Sequence, residues 1–281
     1  MHRHAQLIRV IALLACAAAP AVGQSATRTS PLTEAEYIVR VAPEPDSLPP
    51  NLRRAAAPRR SLAGAFEVRE EIIGKSGLVL GSNWGYLFAT NDVGLLALAA
   101  ELDGARLGKT HVYTVRRLKT NAAGDVSLHA GFTYDGYQTT DSGFVAEAVI
   151  PDSSSRRAWL SGVPTRLPLS RSDGLFAVTS RTFYEENGKR VTDAEPTDWT
   201  GDMAIAFGGG TMYVDLVLRN RRGGKVGFFA AGALAGDTFD LRDASGSRLV
   251  GAIRDGVLTA EWTDKRPGKA AFVGNLRAQR R

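Results

Sequence analysis

The chain has 281 residues, 44% apolar and 23% charged, an ordinary globular balance with enough material for one large core or two small ones. Its formal charge of +6, or +4 with Arg3 and Arg9 of the N-terminal segment set aside, is too small to argue for a nucleic-acid partner. Cys16 is the single cysteine, which excludes internal disulfides, thiolate nucleophiles and cysteine metal sites from the folded body.

Residues 1–23 read as a signal peptide. Arg3 and Arg9 make a basic start, residues 10–19 are apolar but too short to span a bilayer of roughly 30 Å, and Ala21-Val22-Gly23 supplies small residues before a cleavage point. A second reading stays open. Leu13-Leu14-Ala15-Cys16 resembles a bacterial lipobox, in which Cys16 carries the lipid and begins the mature chain. Residues 24–61 read as a disordered linker, because Pro31, Pro43, Pro45, Pro49, Pro50 and Pro58 favour extended backbone. Within it only residues 36–41 are apolar enough to dock as a short strand. Arg53, Arg54, Arg59 and Arg60 are read as solvated charges, each worth only about 1 kcal/mol at an anionic surface.

Residues 62–150 read as a β-rich domain of short strands with turn residues between them. Residues 66–73 make the first strand. Leu78-Val79-Leu80 runs into Gly81-Ser82-Asn83, read as a turn, and residues 84–89 make the next strand. Residues 93–102, rich in Leu and Ala, fit a strand or a short helix equally well. Residues 110–118, 126–134 and 144–150 complete the unit. Pro151-Asp152-Ser153-Ser154-Ser155 then interrupts the pattern and is taken as the domain boundary.

Residues 151–281 read as a small β-barrel domain. The clearest signal is at 201–220, where Met203, Ile205 and Phe207, then Met212, Val214, Leu216 and Leu218, alternate with other residues on either side of Gly208-Gly209-Gly210. Two period-two runs around a glycine turn specify an antiparallel hairpin with one face buried. Residues 175–184, 226–234, 238–241, 248–253, 257–262 and 269–276 follow the same rule. About eight strands suffice to close a barrel filled by its own side chains, and closure removes exposed sheet edges. The expected fold is all-β: a disordered tether, a smaller β-rich region and a C-terminal antiparallel barrel.

Trp159-Leu160-Ser161-Gly162-Val163-Pro164-Thr165 with Leu167-Pro168, the strand at 175–184, Ala206-Phe207-Gly208 with its hairpin partner at 211–218, and Ala271-Phe272-Val273-Gly274 occur in one order. That order resembles the small β-barrel domain of the transferrin-binding protein B family of Gram-negative surface proteins. The family usually continues past the last glycine with a proline, where this chain has Asn275, which leaves barrel closure open. The resemblance implies a location at the outer membrane or outside the cell and a binding role, with no particular ligand.

Catalytic signals are sparse. Beyond the signal segment only His111 and His129 remain, without the spacing of a metal site or a supporting triad motif, so they read as surface or interstrand residues. Gly208-Gly209-Gly210 lies between two strands and lacks the lysine and hydroxyl of a phosphate loop. Glu70-Glu71 and Glu185-Glu186 cannot flank one bond, because adjacent strand residues face opposite ways, and they read as solvent-facing. No cofactor and no metal are expected. The binding candidates are Trp84 and Tyr86 on one strand face, Trp199 in a polar loop, and the cations Arg219, Arg221 and Arg222 beside Lys225; core packing is the competing reading for the tryptophans, favoured for Trp84, and ordinary turn charges the favoured one for the cations. The reading that follows is an exported, non-enzymatic surface or periplasmic binding protein of a Gram-negative envelope, with a protein partner and an association with the outer membrane. A structural accessory subunit of an outer-membrane complex is the alternative, and a hydrolase whose site the sequence does not reveal is a third, to be removed if substitution of His111 and His129 leaves any activity intact.

Overall fold

A computed structural model describes residues 52–59, 61–102, 105–151, 156–165, 173–192, 194–208, 210–264 and 271–281. The signal segment, Cys16 and the expected strand at 36–41 lie outside the described residues. Among those described there is no α-helix, and the strands form two antiparallel nine-stranded sheets.

The first sheet holds β1 (Gly64–Ile73), β2 (Val79–Ala89), β3 (Gly94–Leu102), β4 (Ala105–Thr114), β5 (Arg116–Thr120), β6 (Asp125–Ala130), β7 (Phe132–Gln138), β8 (Phe144–Val149) and β9 (Arg157–Pro164). Its order is β4-β3-β2-β1-β9-β8-β7-β6-β5. The two edge strands are consecutive in the chain, joined at Val115, whose N–H bonds the Gly94 carbonyl at 2.7 Å. The sheet therefore curls around a core in which Phe66, Leu87, Leu96, Leu128, Tyr134, Phe144 and Leu160 meet.

Several sequence expectations change here. Residues 93–102 form a strand with both faces covered: Leu96 and Leu98 enter the curled core, and Leu95 and Ala97 pack against the second sheet. Burial on both sides removes the period-two signature, which left strand and helix undistinguished. Gly81-Ser82-Asn83 is no turn; β2 runs straight through it, and the chain reverses at 74–78, with Gly77 at φ 83°. β9 pairs with β1 and β8, so the first sheet runs past Pro151 and the second begins only at Gly174. The last part of the linker is also structured. The Arg54 backbone bridges Thr139, and the side-chain amide of Gln138 bonds both the N–H and the carbonyl of Arg59 at 2.7 Å.

The second sheet holds β10 (Gly174–Glu186), β11 (Lys189–Arg190), β12 (Thr197–Gly208), β13 (Thr211–Asn220), β14 (Lys225–Ala235), β15 (Thr238–Arg242), β16 (Arg248–Arg254), β17 (Val257–Asp264) and β18 (Ala271–Arg280). β10 and β12 to β18 close into an eight-stranded barrel, because β18 pairs with β10 from Phe176↔Arg280 to Glu185↔Ala271. Asn275, where the family pattern has proline, supplies an outward position on β18 opposite Arg181, and closure is complete. Period-two side chains fill the interior: Phe176, Met203, Ile205, Met212, Leu216, Phe228, Leu249, Leu258 and Trp262 are all buried. Such a small barrel has room for side chains and little else.

The two sheets share a third apolar cluster. Phe88, Val93, Leu95 and Ala97 of the first pack on Leu175, Ala204, Ala206 and Val217 from the outer surface of the barrel.

Candidate functional site

The expected binding residues do not converge. Trp84 and Tyr86 share the outer face of β2, with ring centroids 5.7 Å apart, and Tyr86 stacks at 6.0 Å on Phe88. The ladder is half-buried: the Trp84 indole donates to Glu67 at 2.7 Å, and Phe88 is sealed between the sheets. Trp199 is no loop residue. It lies on β12, points into the barrel, is 7% exposed and donates its indole N–H to the Thr182 hydroxyl at 2.8 Å. Asp198 and Thr200 point outward on either side, the alternation of a strand rather than the composition of a loop.

Arg219 and Lys225 both reach Asp92, on the turn between β2 and β3, with Lys225 at 3.4 Å. The Arg219 hydrogen bond holds the Asp92 carboxyl below its ordinary range, with burial opposing. These cations fasten the barrel to the first sheet. Arg222 comes within 3.9 Å of Glu195, both well exposed, and Arg221 is exposed in the adjacent turn. Cys16 lies outside the described residues. His111 and His129 sit exposed on β4 and β6, with His129 Nδ1 3.1 Å from the Thr133 hydroxyl. No group of three metal-binding side chains occurs among the described residues.

Two buried carboxylates escaped the sequence reading. Glu70 was expected in solvent, yet it faces the curled core and accepts from the Tyr134 hydroxyl at 2.5 Å and the Asn83 amide at 2.6 Å. Burial pushes its pKa up, and the two hydrogen bonds pull it back in part. The Tyr134 hydroxyl is raised well above its ordinary value by its own enclosure first, and further by the charge of Glu70 and the hydrogen bond to it. Asp215 lies outward on β13 but beneath the first sheet, accepting from the Gly94 N–H at 3.1 Å and from Arg116 at 3.4 Å; burial raises its pKa against Arg116. Only Asn83, read as a turn residue, hinted at the first of these.

What the barrel does present is a concave outer face of about 720 Å³ across β12, β10, β18, β17 and β16. Strand register writes it as two polar rows. Thr200, Thr179, Arg277 and Thr259 lie directly opposite one another across four strands. Asp198, Arg181, Asn275, Glu261 and Val250 form the next row. Arg181 approaches Asp198 at 3.8 Å. Guanidinium, carboxylate, amide and hydroxyl groups alternate over a surface some five strands wide, roughly 20 Å at the usual strand spacing. Such a face suits an extended polar partner contacted through paired hydrogen bonds.

No family model and no curated protein matches the chain. Among the solved structures that align with it are two at low identity. One is a protein of unknown function of the DUF3598 family from Nostoc punctiforme, with 11% identity and a TM-score of 0.27 over 78% of this chain and 96% of that one. The other is a candidate outer-membrane protein of Bacteroides fragilis, with 13% identity and a TM-score of 0.27 over 78% of this chain and 98% of that one. Scores of this size assign neither function nor compartment.

Proposed function

We propose that the protein is an exported, non-enzymatic envelope protein that binds a protein partner on the outer face of its barrel. The observation that carries this reading is the filled interior. Trp262, Phe176, Met203 and Leu258 occupy the axis, so recognition falls to the outer strands, and the polar rows around Arg181 and Arg277 are the concave surface there. The apolar leader at 10–19 supports export, and the order of motifs from Trp159 to Gly274 supports kinship with barrels of the transferrin-binding protein B type. Trp159 itself lies on β9, ahead of the barrel, so its part in that pattern is positional.

The test is capture by cross-linking from an envelope extract, with the full chain as bait. A partner is expected with the parent and lost with Arg181→Glu combined with Arg277→Glu. Undiminished capture by the double variant would move the site elsewhere, and enzyme-like turnover of ester, glycoside or peptide substrates by the parent would end the non-enzymatic reading.

A further inference from the structure

The pole of the curled sheet farthest from the barrel carries an unusual surface. At the hairpin between β1 and β2, Leu78, Val79 and Leu80 are 42%, 36% and 54% exposed, and Val149 at the end of β8 is 70% exposed. These are not scattered. Val149, Arg157, Ile73 and Val79 lie opposite one another in consecutive strands, so Val149 and Val79 belong to one row about 14 Å long at the usual strand spacing. Within that row Arg157 and the buried Ile73 separate the two exposed valines, Arg156 lies beside it, and Lys75 and Ser76 are exposed in the turn itself. Among the described residues the carboxylates toward this end are Glu147, ion-paired with Arg157 at 3.2 Å, and Glu71 and Glu101, which flank Ser82 further down the sheet.

We infer that this hairpin tip is a membrane foot, which dips its aliphatic side chains into the interface of a phospholipid bilayer. Three observations favour lipid over protein as the occupant. The apolar groups are aliphatic and sit on a projecting turn, whereas protein hot spots favour aromatic anchors in pockets. Among the described residues at the tip, Lys75, Arg156 and Arg157 outnumber Glu147, a net positive border that suits anionic headgroups while the aliphatic groups enter the acyl boundary. The tip is also at the opposite end of β2 from Phe88 and from Asp92, where the barrel is attached, ten residues or roughly 33 Å away. A bilayer touching the tip would leave the barrel clear of the surface. The inference does not depend on the barrel-face reading, since the two surfaces share no residue.

The experiment uses the full chain with Cys16→Ser and Ser76→Cys, the new thiol carrying an environment-sensitive fluorophore. Added to vesicles of phosphatidylcholine with phosphatidylglycerol, the label is expected to shift to the blue and to be quenched by brominated acyl chains. Leu78→Ser with Leu80→Ser should weaken that response at least about tenfold. Val163→Ser, an exposed apolar residue at the other end of the sheet, should leave it unchanged. Because the substituted side chains are exposed, the variants should melt like the parent. A label that stays unshifted on vesicles the chain does bind would mean that the leader alone makes the contact, and it would overturn the inference. So would parent-like insertion by the double variant, or no binding to any vesicle. Capture by the barrel face is read separately and is expected to survive the tip substitutions.

Discussion

Glu70 concentrates the chemistry of the first sheet in one side chain. Its carboxyl is enclosed among apolar residues and held by the Tyr134 hydroxyl and the Asn83 amide. Burial disfavours the charged form more than the two hydrogen bonds favour it, so the folded-state pKa stands above the ordinary value of 4.5. A carboxyl raised in this way contributes its full stability below the ordinary value and loses it as pH climbs through the folded-state value. Glu70→Gln keeps the volume and an acceptor for Tyr134 while removing the titration. The stability of the Gln variant relative to the parent should therefore rise as pH climbs above the ordinary carboxyl value of 4.5 in denaturant titrations. A pH-independent difference would show that the carboxyl is hydrated rather than enclosed. Glu70→Ala is expected to cost about 2–4 kcal/mol, since it opens a cavity and strands two buried donors.

Strand curvature explains which glycines matter. A methyl group on Gly201 would lie 1.9 Å from the Val217 carbonyl oxygen, and one on Gly85 would lie 1.8 Å from that of Ala97. At these points adjacent strands coil so closely that a Cβ meets backbone, which cannot move aside without breaking pairing. Gly201→Ala should destabilise the barrel by about 1–3 kcal/mol or more in urea unfolding, with strand content retained in circular dichroism. Trp199→Ala, which opens a cavity in the barrel core and removes the indole donor from the Thr182 hydroxyl, should cost about 3–5 kcal/mol by the same assay. The elements that were legible in the sequence share one physical property: a single buried face. The hairpin of Met203 to Leu218 shows it, and so does the eight-strand closure built on it. Where both faces are covered, as on β3, alternation vanishes. Where a polar residue serves the interior, as Asn83 does for Glu70, it reads as a turn. Trp199 was misplaced because outward Asp198 and Thr200 dominate the local composition. The concave barrel face was illegible for another reason: Thr179 joins the row of Arg277 and Thr259 only through closure of β18 on β10.

Across the whole molecule the two sheets are joined by carboxylates with opposite pH responses. Asp92 is held low by Arg219, so its contribution is present above the ordinary carboxylate range and lost as pH falls through its folded-state value. Asp215 is raised by burial, so its contribution is present in acid and lost as pH rises. They also differ in what surrounds them. The Arg219–Asp92 pair has side chains 51% and 23% exposed, so Arg219→Ala should leave the urea midpoint close to the parent's, the more so at high salt. Asp215 is 2% exposed and is the acceptor for the Gly94 N–H, next to the point where Val115 joins β4 to β5. Asp215→Ala leaves that N–H without its acceptor beneath the apolar seam of Phe88, Leu95 and Ala204, a cost of about 1–3 kcal/mol. Arg116, half exposed, can turn to water and adds little. The loss falls on the seam rather than on either core, so its signature is local. Hydrogen exchange at Gly94 and along β3 should accelerate by roughly tenfold to a hundredfold, while the amides of β16 and β17 keep parent protection. Acceleration spread evenly over both sheets would mean that Asp215 stabilises the barrel itself and that the seam is held by its apolar contacts alone.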